Sequence, residues 1–69
     1  MEKSVYKIIE VVGFSEKSWE DAAKVAIKTV DKSIRDMRVA EVVMMDMRLE
    51  ANRIVAYRTK LKVSFKLEN

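Results

Sequence analysis

The 69-residue sequence has no cysteine, no histidine and no proline, and it has a single glycine. Without cysteine and histidine, disulfides, thiolate zinc sites and histidine-based metal sites are excluded. The usual acid–base group near neutral pH and the sulfur nucleophile are also missing. A chain this short is marginally stable unless it is cross-linked, metal-bound or oligomeric. These absences leave self-association as the main stabilising device.

Long apolar runs are missing too. No run approaches the roughly 18 residues that a membrane-spanning helix needs, and the first four residues, Met1 to Ser4, lack the apolar core of a signal peptide. We therefore expect a cytoplasmic protein without a membrane partner. Hydrophobic residues make up 49% and charged residues 36% of the chain, with a net charge of +3. This composition is globular, and its mild charge permits an anionic ligand without demanding nucleic acid.

The most regular pattern lies near the end of the chain, where apolar and polar residues alternate from Val55 to Leu67. Such alternation predicts a half-buried antiparallel strand. At about 3.3 Å per residue this strand reaches roughly 43 Å, which is well beyond the usual strand length. One small chain cannot cover so long an apolar stripe, so we expect it to assemble with copies of itself.

Three earlier elements complete a single domain over residues 1–69. The β-branched segment Val5–Val12 predicts a first strand that Gly13 breaks. Apolar residues at three- and four-residue spacing predict a helix from about Ser18 to Ile34, and this stripe places Trp19 in the core. Ser15 or Ser18 caps the helix, and Ser18 with Asp21 resembles a capping box.

A second long strand is predicted from Val39 to Ala51, followed by a tight hairpin at Asn52 and Arg53. Residues 45–50 alternate cleanly, whereas both faces are apolar in residues 39–44. A bulge in the middle of the strand or a contact with another subunit would explain this change. The predicted order is strand, helix, strand, strand.

The sequence resembles the dodecin family over about sixty residues. The resemblance is carried by the order and spacing of several short segments rather than by one motif. These segments are Val5-Tyr6-Lys7, Val11-Val12-Gly13, Ser15-Glu16-Lys17-Ser18-Trp19, Ala22-Ala23, Ala40-Glu41-Val42, Tyr57-Arg58-Thr59 and Val63-Ser64-Phe65-Lys66-Leu67.

The resemblance implies an α+β fold of order β-α-β-β, with a three-stranded antiparallel sheet curled around one helix. It also implies a hollow homododecamer that binds flavin (FMN, FAD or riboflavin) between subunits and stores or buffers it without catalysis. In that family a Trp near the start of the second strand stacks on the flavin ring, and a Gln in the third strand hydrogen-bonds its polar edge.

The two positions that carry the family's flavin site are different here. Val39 stands where the stacking Trp belongs, and Arg58 stands where the Gln belongs. Valine has no aromatic plane, and arginine donates hydrogen bonds but accepts none. We therefore predict that flavin binding is weak or lost.

Arg58 and Arg38 suggest a different ligand at these positions. Repeated around a symmetry axis, the two arginines would concentrate positive charge and hold a phosphate or another small anion. The simpler interpretation is that Arg58 pairs with an acidic neighbour such as Glu41. The candidate binding residues are therefore Val39, Arg58 and Arg38.

A cation-binding or purely structural shell is the alternative function. Asp46, Glu50 and Glu41 offer oxygen ligands for calcium or magnesium. Asp46 and Glu50 lie roughly 13 Å apart along a strand, so a site would need carboxylates from several subunits, and the sequence does not fix its metal ligands.

Two other features favour a structural interpretation. Arg58, Lys60, Lys62 and Lys66 give the third strand a basic face, but no aromatic residue of the strand lies on that face to stack nucleic-acid bases. Adjacent methionines at 44 and 45 point to opposite faces of a strand, so they cannot form a local metal site. No nucleophile has an evident base and orienting partner, and we expect no enzyme.

Overall fold

The computed structural model describes residues 3–67. These residues fold as one three-stranded sheet with a single helix packed on one face. Its strands are antiparallel and lie in the order β1-β3-β2, so the predicted α+β fold of order β-α-β-β is confirmed. The elements are β1 (Tyr6–Ser15), α1 (Trp19–Asp31), β2 (Met37–Glu50) and β3 (Arg53–Lys66).

Strand β1 continues through the only glycine, contrary to the prediction that Gly13 would end it. Gly13 pairs with Thr59 of β3 and is fully within the ladder. A Cβ atom at this position would overlap the carbonyl oxygen of Ala22 in α1. The glycine is therefore needed because the helix backbone approaches the strand closely, and not because the chain turns.

Helix α1 begins as predicted but ends early. The side chain of Ser18 accepts a hydrogen bond from the Asp21 N–H at 2.9 Å, which fixes the N-cap. The helix ends at Asp31 rather than Ile34, and Asp36 then takes a left-handed φ of 66° that redirects the chain into β2. No helix among the described residues is long and apolar enough to cross a membrane.

A two-residue turn joins β2 to β3 one position earlier than predicted. Ala51 and Asn52 have φ values of 50° and 63°, as a tight primed hairpin turn requires. Arg53 already belongs to β3, where it faces Glu50. Of the two explanations offered for the change of pattern in β2, the bulge is present as a register shift between Val42 and Met44.

The core lies between α1 and the two strands that the helix covers, β1 and β3. Its buried side chains are Ala22, Ala26, Leu61 and Val63, together with the hydroxyl-bearing Thr59. Helix α1 does not cover strand β2. On it, Val42, Met45 and Met47 remain 51%, 57% and 41% exposed, so the expected mismatch between a short helix and a long sheet is present.

The protomer is too open for a compact monomer of its mass. A monomer of 8.0 kDa exposes about 4,450 Å², whereas this protomer exposes 5642 Å². Its Cα radius of gyration is 14.3 Å, against about 11 Å for a compact domain of this length. The excess surface belongs to an extended shape of 53 × 20 × 14 Å.

The close approach of α1 to Gly13 predicts that a larger side chain at this position lowers the free energy of unfolding. In an open strand, replacing glycine by alanine stabilises the fold by roughly 0.5–1 kcal/mol. Here the added methyl group must displace α1, so we expect Gly13→Ala to reduce the free energy of unfolding by about 1–3 kcal/mol. Denaturant titration at a fixed protomer concentration measures the change. An equal or higher unfolding free energy would show that the helix does not press on this position.

Candidate functional site

Arg58 lies at the centre of the sheet face that points away from α1, which we call the outer face. On β3, Thr59 and Leu61 are buried beneath the helix. Because side chains alternate along a strand, Arg58 and Lys60 project from the opposite side. The strand register places Phe14 of β1 and Asp46 of β2 directly beside Arg58.

Arg58 and Asp46 form a two-pronged ion pair. The Nε and Nη2 atoms of Arg58 donate to the two carboxylate oxygens of Asp46, each at 2.6 Å. The Arg58 guanidinium also lies over the Phe14 ring, 5.6 Å from its centroid. The arginine is therefore held from both neighbouring strands, which confirms the structural interpretation of this residue. Its partner is Asp46, however, and not Glu41, which faces Lys62 in the register.

The pair shifts the titration of both groups. Hydrogen bonds from Arg58 lower the pKa of Asp46, against a smaller opposing effect of desolvation. The same hydrogen bonds raise the pKa of Arg58 further above its ordinary value. Both side chains remain more than one-third exposed, so solvent screens their attraction. Near neutral pH the two charges are present together and satisfy each other.

The space beside this pair is small. A hollow of about 160 Å³ is lined by Val12, Met44, Asp46, Arg58 and Lys60. Sites for organic ligands usually measure about 300–1,000 Å³. One protomer therefore does not enclose enough room here for a flavin-sized molecule.

The other two candidate residues lie elsewhere on the sheet. Val39 faces Ser64 of β3 and is 62% exposed. Since Ser64 and Arg58 are six residues apart on one strand, Val39 lies roughly 20 Å from Arg58. Arg38 is next to Val39 and pairs with Asp36, with its Nε 3.2 Å from a carboxylate oxygen. The structure thus separates Val39 and its sequence neighbour Arg38 from Arg58 within a protomer.

Trp19 does not replace the missing aromatic residue at Val39. Its indole N–H donates to the backbone oxygen of Asp46 at 2.9 Å. Its ring meets the ring of Tyr57 edge-on, with centroids 5.1 Å apart. Trp19 is half-buried, so the prediction that it belongs to the core is confirmed in part. It joins the start of α1 to the hairpin.

The basic face of β3 is neutralised by neighbouring strands. In addition to the Arg58–Asp46 pair, the Lys60 ammonium lies 3.5 Å from a carboxylate oxygen of Glu10. Lys62 stands between Glu10 and Glu41 in the strand register. This alternation of charge favours the salt-bridged interpretation over a platform for nucleic acid.

The three carboxylates considered for a cation differ in their surroundings. Asp46 is occupied by Arg58, and Glu50 accepts a hydrogen bond from Arg48 at 2.9 Å. Glu41 has no ion pair within residues 3–67. Nowhere in that range do three or more acidic side chains gather closely enough to hold a metal ion.

Asp46 and Phe14 could not be identified from the sequence as the neighbours of Arg58. For Asp46 the reason is the hairpin register, because a turn at Asn52 and Arg53 without a bulge would pair Arg58 with Met47 instead. A difference of one residue in the partner strand exchanges the two faces of that strand. A turn at Ala51 and Asn52, together with the bulges, is required before Asp46 faces Arg58.

Comparison with known proteins identifies relatives over nearly the whole chain. The family model described as Dodecin matches residues 5–68. The calcium dodecin of Mycobacterium tuberculosis is 45% identical over 64 residues, which cover 93% of this chain and 90% of that protein. Its crystal structure, that of a calcium-chelating antigen with a calcium-binding site, superposes with a TM-score of 0.84 over 94% of this chain and 93% of that one.

Two further structures have the same fold. A point mutant of the Thermus thermophilus dodecin is 31% identical, with a TM-score of 0.90 over 97% of this chain and 100% of that chain. The dodecin of Streptomyces coelicolor is 26% identical, with a TM-score of 0.93 over 100% of this chain and 99% of that chain.

The contribution of the Arg58–Asp46 ion pair to stability should depend on pH. Because the pKa of Asp46 is lowered in the folded state, its contribution to stability is complete above the unfolded pKa, about 3.9. That contribution is lost as the pH falls through the lower folded value. We expect the coupling energy between Asp46→Asn and Arg58→Met to be favourable near neutral pH and to vanish in strong acid. Double-mutant cycles from denaturant titrations measure it. A coupling energy independent of pH would contradict this assignment.

Proposed function

Because this chain belongs to the dodecin family, we propose that it is a non-catalytic homododecamer that holds divalent cations between its subunits. In this proposal flavin is at most a weak ligand. The cation is supported by the 45% identity to a calcium dodecin. Weak flavin binding is supported by the Arg58–Asp46 ion pair, which occupies the position of the family's flavin-binding Gln.

Self-assembly is supported by the surface of the protomer. Its exposed area exceeds that of a compact monomer by about 1,200 Å². A standard protein interface covers about 800 Å² on each partner. Fifteen large hydrophobic residues are exposed in the described range, and burying them between copies is the remaining way to stabilise a chain without disulfides. The number twelve comes from the family.

Weak flavin binding is supported at both positions of the expected site. At Val39 a flavin ring would lose aromatic stacking, which contributes about 1–3 kcal/mol for a nucleobase. At Arg58 the two donors that a ligand would need are already directed at Asp46. A ligand must therefore break an ion pair before it gains a hydrogen bond from this side chain.

A calcium-binding role is supported by the relative with 45% identity over most of the chain, which is a calcium dodecin. Calcium takes six to eight oxygen ligands, and one protomer does not gather three acidic side chains within residues 3–67. The site we propose therefore combines carboxylates from several copies. Glu41 is the acidic residue of β2 that is left for this role, because Asp46 and Glu50 are engaged by arginines.

Calcium titration of metal-free protein tests this function. We expect saturable binding with fewer ions than protomers, because each ion is shared between subunits. Glu41→Gln should weaken the affinity at least about tenfold, since it removes one charged oxygen ligand from every contributing copy. Isothermal titration calorimetry measures both quantities.

The control for the calcium experiment is Glu50→Gln, which changes a carboxylate of the same strand that already accepts from Arg48. It should leave the calcium affinity within about twofold. Absence of binding at millimolar calcium, the weak end of natural sites, would contradict the proposed function. So would equal affinities of the wild type and Glu41→Gln.

Flavin titration tests the second part of the proposal. We expect neither riboflavin nor FMN to bind the wild type with submicromolar affinity, as followed by quenching of flavin fluorescence. The double variant Val39→Trp with Arg58→Gln restores the two side chains of the family site, and we expect it to bind at least about fivefold more tightly, the lower end of a stacking contribution. Submicromolar binding by the wild type would contradict the prediction.

A further inference from the structure

Trp19, the first residue of α1, bonds to a strand that the helix does not cover. Helix α1 packs against β1 and β3, yet the Trp19 indole N–H donates to the backbone oxygen of Asp46 in β2 at 2.9 Å. The carboxylate of the same Asp46 accepts from Arg58. Asp46 is therefore held by its backbone and by its side chain at once.

The two contacts reach Asp46 from opposite faces of the sheet. Thr59 is buried beneath α1, and Tyr57, two positions away on β3, shares that face. The Trp19 ring meets Tyr57 edge-on, so the indole lies on the helix side. Arg58 projects from the other side, because successive side chains of a strand alternate. Strand β2 is thus fixed between an indole and a guanidinium at a single residue.

Trp19 is itself anchored to β3. The hydroxyl of Thr59, which is 1% exposed, donates to the backbone oxygen of Trp19 at 2.8 Å. The preceding residue, Ser18, caps the helix and fixes the start of α1. An indole that is held on β3 and bonds to β2 sets the position of one strand relative to the other at the level of Asp46.

The pairing of Asp46 needs a contact of this kind. Register shifts lie on both sides of this residue, between Val42 and Met44 and between Arg48 and Leu49. A bulge changes the number of residues that oppose each other in two paired strands. The hairpin turn therefore does not by itself fix which residue of β3 faces Asp46.

A slip of one residue in this segment would break the indole bond. Such a slip would move Met45 or Met47 opposite Arg58. The two methionines are 57% and 41% exposed, so their burial within the protomer does little to oppose it. The N–H and C=O groups of successive residues point to opposite edges of a strand, and the slip would remove the acceptor of Trp19. The indole bond therefore favours the register that pairs Asp46 with Arg58.

We infer that Trp19 is a positioning residue for the Arg58–Asp46 pair, and that its indole N–H keeps the donors of Arg58 directed at Asp46 instead of at a ligand. The inference rests on the proposed weak flavin binding and names the residue that maintains it. Trp19 acts through Asp46 and does not itself touch the ligand position.

A double-mutant cycle in the Trp19→Phe background tests the inference. Phenylalanine keeps an aromatic ring at the start of α1 but lacks the N–H donor. In the wild-type background, Asp46→Asn and Arg58→Met should couple by at least about twofold in the unfolding constant near neutral pH. In the Trp19→Phe background we expect this factor to fall to about one, because Asp46 no longer stays opposite Arg58. Denaturant titration at a fixed protomer concentration measures both cycles.

Two control variants separate the indole donor from other effects. Thr29→Val removes a different side-chain hydrogen bond of α1, which ends on the backbone oxygen of Val25, and it should keep the wild-type coupling. A benzothiophene side chain at position 19 keeps the bicyclic shape and lacks the N–H, so it should lose the coupling as Trp19→Phe does. A general loss of stability would change every member of a cycle alike and leave the coupling factor unchanged. A coupling that survives in the benzothiophene variant would overturn the inference.

Flavin affinity gives a second readout, which a merely structural role of Trp19 would not raise. The Val39→Trp variant supplies an aromatic plane while Arg58 stays paired with Asp46. Adding Trp19→Phe frees the guanidinium N–H groups to donate to the ring oxygens of the flavin. We therefore expect riboflavin to bind the double variant at least about twofold more tightly than Val39→Trp alone, as measured by quenching of flavin fluorescence. Equal or weaker binding would contradict the role in specificity.

The two proposals fail in different ways. A wild type that binds no calcium would contradict the proposed function and leave the coupling cycles unaffected, because they are measured without metal. An unchanged coupling after loss of the indole N–H would contradict only the role of Trp19, and the calcium-binding shell would stand.

Discussion

The whole structure depends on a mismatch of length between one helix and two strands. Helix α1 has 13 residues and spans about 20 Å. Strands β2 and β3 have 14 residues each and extend about 46 Å. The helix covers β1 and β3, where Leu61 and Val63 become buried, and leaves β2 bare. A protomer built in this way cannot be the finished protein, because its apolar surface needs a partner.

The Arg58–Asp46 pair differs from the binding site that the family resemblance implies, although the fold is the same. In the family resemblance, the position of Arg58 carries a residue that meets a ligand from the outer face. Here the guanidinium is held between a carboxylate on one side and the Phe14 ring on the other. Val39 likewise stands where the resemblance implies an aromatic residue. The ion pair stabilises the outer face within the protomer, which is the basis of the proposal that flavin binds weakly.

Much of the fold could be predicted from the sequence because the alternation in β3 and the helical spacing in α1 are regular. The predicted ends of β1 and α1 were wrong because contacts in the folded chain override the local sequence rules. Gly13 appeared to end β1, but it is required by the approach of Ala22. The helix was expected to reach Ile34, but it ends at Asp31, where the N–H groups of Lys32 and Ser33 donate to the carbonyl oxygens of Thr29 and Val30. Neither contact can be seen in the sequence pattern.

The candidate site was predicted less completely than the fold. Sequence position identified Val39, Arg38 and Arg58, but it could not show that Arg58 lies roughly 20 Å from the other two. Nor could it identify Asp46 as the partner of Arg58, since this depends on a turn placed one residue earlier and on bulges in the ladder. Any site that joins Val39 to Arg58 must therefore be formed by residues from different copies.

Sedimentation equilibrium of the purified wild type at micromolar concentration tests the central claim most directly. If the bare face of β2 demands other copies of the chain, the protein must sediment as a discrete multiple of its 8.0 kDa mass. A well-folded species of 8.0 kDa would contradict the account, because the uncovered strand would then be stable in water alone.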